Sequence, residues 1–219
     1  FIFWRIWLVT TAMSLFLFVF LGMCWGRRVI LHNDQPRLDV NGNYVDAHDG
    51  KIVYVNGTYF LYGESYGNQT LATPYPWPHY PRLLVYTSPD LLNWTCRGDP
   101  LPTIGGTLWI PNVIYHEPSQ QFIMWFGAGG WRSATSIDGI NFVPSGSGVF
   151  YSRFGPKGGT DGTGLFVDDD GTGYVVFASN PPFDSPTNPV WPGHPGALGF
   201  GHIVSIERMT PDLLASSKV

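Results

Sequence analysis

The spacing of hydrophobic and polar positions changes once along the chain. Ile6 to Trp25 is an uncharged, all-round apolar run of 20 residues. Beyond about residue 45 the apolar runs are short, and Gly, Pro, Asn or Asp bounds each one. IVYV and TYFLYG flank Asn56-Gly57, the dipeptide that supplies the two positive φ angles of a type I′ turn, so a hairpin is predicted over about 50–63. The segments VIYHEPSQQFIMWFG and LFVDDDGTGYVVFAS predict two more, over about 110–127 and 164–179. No stretch after residue 30 has helical periodicity. The class implied is all-β.

A repeat sharpens that class. YTSPDLLNW at 86–94 returns as ATSIDGINF at 134–142, a shift of 48 residues, and more faintly as TPDLL at 210–214. Each copy follows one of the hairpins. Two paired strands, a third strand, a Ser/Thr-x-Asp turn and a fourth strand make a unit of about 50 residues, the period of a β-propeller blade. Blades are predicted over about 46–105, 106–155 and 156–219, after a linker at 30–45 and a hydrophobic helix within 1–29. A propeller closes with about four to eight blades, so the expectation is a fragment of a larger ring.

Composition changes the picture at the amino-terminal end. As a helix, 20 apolar residues span roughly 30 Å, the thickness of a bilayer core, so residues 6–25 are expected to act as a signal anchor or long signal peptide. Arg27-Arg28 would favour a cytoplasmic carboxyl side, whereas three acceptor patterns for N-glycosylation, at Asn56, Asn68 and Asn93, support the lumenal or extracellular side, which is the one expected. The expected localisation is membrane-anchored or secreted. Three of the twelve Lys and Arg precede residue 29, leaving nine against sixteen Asp and Glu, a net of −7, which argues against nucleic acid as a partner. Two cysteines, Cys24 and Cys96, define no disulfide framework.

The candidate chemistry is acidic and aromatic. Asp49, in AHDGKI at the start of the first hairpin, reads either as a turn residue or as a carboxylate held at the start of an inner strand. Asp168 to Asp170 read as a hairpin turn, because they lack the alternate-residue spacing of a calcium loop, and no metal or cofactor is expected. His48, Trp77, Trp109 and Trp131 sit in loops or at strand starts. There they would either stack on sugar rings or pack between blades. Trp94 and Trp125 read as core.

Taken together, the hairpin with its leading acid, the YTSPDLLNW turn and LFVDDDGTGYVVFAS resemble glycoside hydrolase family 43 over about residues 38–216. The resemblance implies a five-bladed propeller and an inverting glycosidase acting on polysaccharide side chains such as arabinan, xylan or galactan. It implies Asp49 as catalytic base and Asp161 as the second acid, which orients the sugar and tunes the general acid. Asp161 stands one residue further from Leu165-Phe166 than the family's usual spacing, with Gly162 and Gly164 available to absorb the insertion.

The general acid would come from a fourth inner strand, so the chain by itself is expected to be inactive. Glu64, in YGES, matches a Gly-Glu of the exo-galactanase-like branch and is expected to bind substrate. That branch has Gly at the position of Asp49 and an acid at the position of Trp109, so its substrate does not transfer. The alternatives are a glycan-binding propeller without catalysis and a protein-interaction scaffold.

Overall fold

The computed structural model describes residues 30–32, 34–67, 82–146, 159–180 and 203–217. The chain divides into two units, Phe1–His32 and Asn33–Val219, and all that follows concerns the second. Residues 6–25, expected to cross a membrane, lie outside the described residues, as does the acceptor Asn68. Among the described residues no helix is long and apolar enough to cross a membrane.

Three antiparallel sheets follow one another along the chain. The first contains β1 (His48–Val55), β2 (Thr58–Ser65), β3 (Arg82–Ser88) and β4 (Thr95–Gly98). The second contains β5 (Trp109–His116), β6 (Gln121–Gly127), β7 (Trp131–Ser136) and β8 (Val143–Gly146). The third contains β9 (Gly159–Val167), β10 (Gly173–Asn180) and β11 (Ile203–Arg208). Within each sheet the strands lie in chain order, and the leading strands of successive sheets adjoin, β1 against β5 and β5 against β9. Separate sheets with adjacent leading strands are blades around an axis, not one continuous sheet or two facing layers.

Turn chemistry sets the hairpins. Asn56 and Gly57 both have positive φ, 48° and 80°, and join β1 to β2. Between β5 and β6 stands a 3-10 turn, Glu117–Ser119, closed by left-handed Gln120. Asp168 to Gly171 close the third hairpin, with the Asp168 N–H donating to Thr172 O and the Gly171 N–H to Asp168 O, so the three adjacent acids form a turn.

The repeated turn keeps its hydrogen bonds as well as its sequence. Asp90 Oδ1 accepts from the N–H groups of Leu92 and Asn93, and Oδ2 from Asn93 Nδ2. Asp138 accepts from Ile140, Asn141 and Asn141 Nδ2 in the same pattern. In the third copy Asp212 accepts from Thr210 Oγ1 and the Leu214 N–H. The residue after each Asp is left-handed: Leu91 at 65°, Gly139 at 72°, Leu213 at 60°.

Strand β6 explains the run QFIMWFG. Phe122, Met124 and Phe126 face the first sheet in one buried cluster with Phe60, Tyr62, Leu83 and Val85. Ile123 and Trp125 face the third sheet in a second cluster with Leu165, Val175, Phe177 and Leu213. A strand buried on both faces needs apolar residues at every position, and each such side chain contributes about 1.5–3 kcal/mol. The buried polar tips are paired: the Tyr62 hydroxyl donates to Gly139 O at 2.8 Å and the Trp125 indole N–H to Leu213 O at 2.8 Å. Burial pushes the Tyr62 phenol well above its ordinary value. Strand β1 buries alternate positions instead, with Val53 and Val55 packed inward and Ile52 and Tyr54 exposed.

Residues 38–44, within the segment expected to be a linker, are tied to the first sheet. Asp39 pairs in parallel with Trp94, Val40 N–H donates to Trp94 O, and Arg37 donates to Leu91 O. Asp39 is buried, and its Oδ1 caps the N–H groups of Asn41 and Asn43, which closes this turn on itself. Trp94, expected in the core, stands immediately before β4 and is fully buried.

Candidate functional site

Each leading strand carries one extra residue near its start. In β1 the pairing passes from His48↔Glu64 to Lys51↔Tyr62, and Asp49 has φ 49°. In β5 it passes from Trp109↔Gly127 to Asn112↔Trp125, and Ile110 has φ 45°. In β9 it passes from Asp161↔Ala178 to Thr163↔Phe177, and Gly162 has φ 51°. These are β-bulges with a left-handed residue, a device that bends a strand and re-aims side chains beside functional sites. In the third blade the bulge falls at Gly162, between Asp161 and Leu165-Phe166. A left-handed residue other than glycine, asparagine or aspartate costs roughly 1–2 kcal/mol, so the strain at this level falls on Ile110 of the second blade.

Around the first bulge four polar side chains meet. Glu64, at the end of β2 and opposite His48, is 1 % exposed. Its Oε1 accepts from the backbone N–H of Ile110 in the second sheet, and its Oε2 accepts from the Tyr66 hydroxyl at 2.9 Å. The same hydroxyl is 3.2 Å from His48 Nδ1, and the two rings meet edge to face at 5.1 Å. His48 Nδ1 lies 3.4 Å from Asp49 Oδ2 and 3.9 Å from Glu64 Oε2. The side chains of His48 and Asp49 are about half exposed, at 54 % and 51 %.

Backbone contacts hold this group in place. Asp46 accepts from Ser65 Oγ and from the N–H groups of Tyr66 and Gly67, which pins the segment after β2 and with it the Tyr66 ring. Gly63 lies so close to Ala47 that a Cβ would approach Ala47 Cα to 2.4 Å, so only glycine lets the chain before β1 cross β2 there.

A cavity of about 460 Å³ opens over the group, lined by His48, Asp49, Glu64, Tyr66, Trp109 and Trp131 among others. A second cavity, about 540 Å³, shares Asp49 and Ile110 and reaches Gly162, Thr163 and Phe177 of the third sheet. The carboxylate of Asp49 thus stands where the first blade faces the other two.

Of the residues singled out from sequence, Asp49, His48, Glu64, Trp109 and Trp131 line one cavity. Trp131 also belongs to the buried cluster between the second and third sheets, so it both packs and lines. Asp161 is described by its backbone, in β9 opposite Ala178 and next to Gly162 of the adjoining cavity. Trp77 lies outside the described residues.

Tyr66 and Asp46 went unread from sequence. Nothing in ESYG distinguishes a fixed tyrosine from a loop one, because what fixes it is a carboxylate 20 residues earlier. One ligand atom each from His48, Asp49 and Glu64 lies within 4.8 Å of the others, the donor set of a divalent cation. Both Glu64 oxygens also accept hydrogen bonds from protein groups, which hold the carboxylate in place.

No protein-family model and no curated protein matches the chain. Solved structures do. An exo-β-1,3-galactanase from Clostridium thermocellum superposes with a TM-score of 0.58 at 21 % identity, over 85 % of this chain and 40 % of that one. A glycoside hydrolase family 43 β-1,3-galactosidase with galactodeoxynojirimycin gives 0.60 at 19 %, over 86 % and 65 %. An α-L-arabinofuranosidase from Clostridium thermocellum gives 0.54 at 19 %, over 77 % and 53 %. The chain spans between 40 % and 65 % of the length of these structures. It has the family-43-like β-propeller fold.

Proposed function

We propose that the chain carries the catalytic base and part of the sugar-binding surface of a glycosidase of the family-43 type, acting on polysaccharide side chains such as galactan, arabinan or xylan. The observation that carries this reading is Asp49: a half-exposed carboxylate on an inner-strand bulge, at the junction of two cavities and beside a buried, hydrogen-bonded Glu64.

In an inverting hydrolysis one carboxylate takes the proton of the attacking water while an acid protonates the leaving oxygen, about 6.5–9.5 Å away. Asp49 is open to a water on its cavity side and takes the first role. Glu64 does not take the second. It comes within 4.8 Å of the cluster, too near for an inverting partner, and both neighbours of its carboxylate donate to it. The acid belongs to a further inner strand, as the resemblance implies, and Asp161 of the third blade orients the sugar and raises that acid's pKa as a like charge does. Trp109 offers an indole face to a pyranose.

The test takes the protein together with the further inner strand that supplies the acid and compares it with its Asp49→Asn variant on β-1,3-galactan, arabinan and xylan oligosaccharides, reading affinity by calorimetry and cleavage by reducing-end release. The amide keeps the shape but cannot take the water's proton. Binding is expected to hold while turnover falls by about 10²-fold or more. Near-normal turnover in Asp49→Asn would sink the reading, and binding without cleavage in both proteins would favour a glycan-binding propeller.

A further inference from the structure

The three bulges share a geometry but not a residue type. Glycine carries the positive φ at 162, and aspartate, whose short polar side chain tolerates it, at 49. Ile110 has neither advantage. It is β-branched, and it precedes Pro111, whose ring disfavours helical conformations at the preceding residue and pushes it toward extended backbone. Such a conformation persists only where the surroundings over-determine it.

Two contacts supply that constraint. Ahead of the bulge, the Ile110 N–H donates to Glu64 Oε1 from the neighbouring sheet, and Glu64 is itself held by Tyr66. Behind it, Asn112 Nδ2 donates to Thr163 O at 2.7 Å and Thr163 Oγ1 at 3.0 Å in the third sheet. Trp109 is the residue just before this clamp. It pairs with Gly127, where a Cβ would stand 3.3 Å from Trp109 Cβ and 3.6 Å from Cδ1. Trp109 and Ile110 line the same cavity, so the indole enters it directly beside the clamped bulge.

We propose that Glu64 is a positioning residue: its carboxylate latches the Ile110 N–H across the two sheets, holds the bulge left-handed and thereby aims Trp109 into the cavity. Its effect on a ligand passes through Trp109 rather than through a direct bond to a sugar hydroxyl. The ligand arm of this inference rests on the glycan-site reading above; the conformational arm does not.

Glu64→Ala, Glu64→Gln, Ile110→Gly and the double variant Glu64→Ala/Ile110→Gly separate the two roles. The readouts are thermal melting, the indole ¹H–¹⁵N resonance of Trp109 assigned through Trp109→Phe, and affinity for the oligosaccharides above. Glu64→Ala is expected to shift the Trp109 resonance and weaken binding tenfold or more. Glu64→Gln, which keeps an acceptor for Ile110, should hold affinity within threefold. In the double variant, glycine adopts the bulge conformation unaided, so the Trp109 resonance and most of the affinity should return, and the loss in melting temperature should fall short of the sum of the single losses.

An unmoved Trp109 resonance in Glu64→Ala, or strictly additive melting losses, overturns the latch. Lost affinity that Ile110→Gly does not restore assigns Glu64 to direct sugar contact instead. If the unaltered protein binds none of the oligosaccharides, the glycan-site reading fails, while the resonance and the melting coupling still decide the latch. Should Glu64→Ala not fold, Tyr66→Phe removes one holder of the carboxylate and is expected to shift Trp109 in the same direction; no shift counts against the proposal.

Discussion

A carboxylate that accepts two backbone N–H groups and an amide does for a turn what a cap does for a helix, and the repeated Asp turns show its consequence for pH. The backbone N–H of Asn93, with that of Leu92, holds Asp90 down to about 2. At Asp138 burial pulls upward, yet the Asn141 backbone and side chain together with Ile140 bring it to about 2 as well. Both folded values lie below the unfolded carboxyl at about 3.9, so the stabilisation is fully present above about pH 4 and is lost as pH falls toward 2. Melting temperatures followed from pH 5 to pH 2 are expected to drop through that window, and Asp138→Asn, which has no proton to gain, should drop less steeply. Parallel curves would remove Asp138 from the acid limb. At neutral pH Asp138→Ala, which orphans two backbone donors, is expected to cost about 1 kcal/mol.

Among elements, the strands that close locally were the legible ones. Asn56-Gly57 carries its turn chemistry within two residues, and the QFIMWFG run declares a strand buried on both faces. The bulges were not legible, because nothing within Trp109-Ile110-Pro111 calls for a left-handed isoleucine; the acceptor that holds it is 46 residues away. For the same reason Asp49, His48, Glu64 and Trp109 were readable as candidates while Tyr66, fixed through Asp46, was not. Loops show the same dependence on distant partners. Arg82, at the start of β3, forms an ion pair with Asp99 at 2.6 Å and donates to the carbonyls of Leu101, Ile104 and Gly106, so one guanidinium organises the whole connection into the second sheet. Lysine has the charge without the planar fork. Arg82→Lys is therefore expected to destabilise by about 1–3 kcal/mol and to raise proteolytic nicking between residues 99 and 106, whereas unchanged melting and cleavage would show that the loop orders itself.

At the scale of the molecule, the main strand contacts between sheets among the described residues join neighbours, first to second and second to third, the condition under which stability approaches a sum of unit and interface contributions. The first interface has a narrow point at Gly139. Its carbonyl accepts the Tyr62 hydroxyl, its φ is +72°, and an added Cβ would lie 2.8 Å from Phe60 Cε1 and 2.9 Å from Phe122 Cζ. Those two rings already pack against each other at 4.9 Å between the first and second sheets, so neither has room to retreat. Gly139→Ala therefore combines a left-handed penalty of about 1 kcal/mol with overpacking of about 1–3 kcal/mol. With roughly 2–4 °C per kcal/mol for a domain of this size, melting should fall by about 5–15 °C. The location of the damage separates an interface effect from a local one. Amides of β2 and β6 should lose hydrogen-exchange protection before those of β9 and β10, because the second cluster, between Trp125 and Val175, is untouched by the change. Uniform loss of protection across all three sheets would instead mean that they unfold as a single unit, and that the blades are cooperative beyond their nearest neighbours.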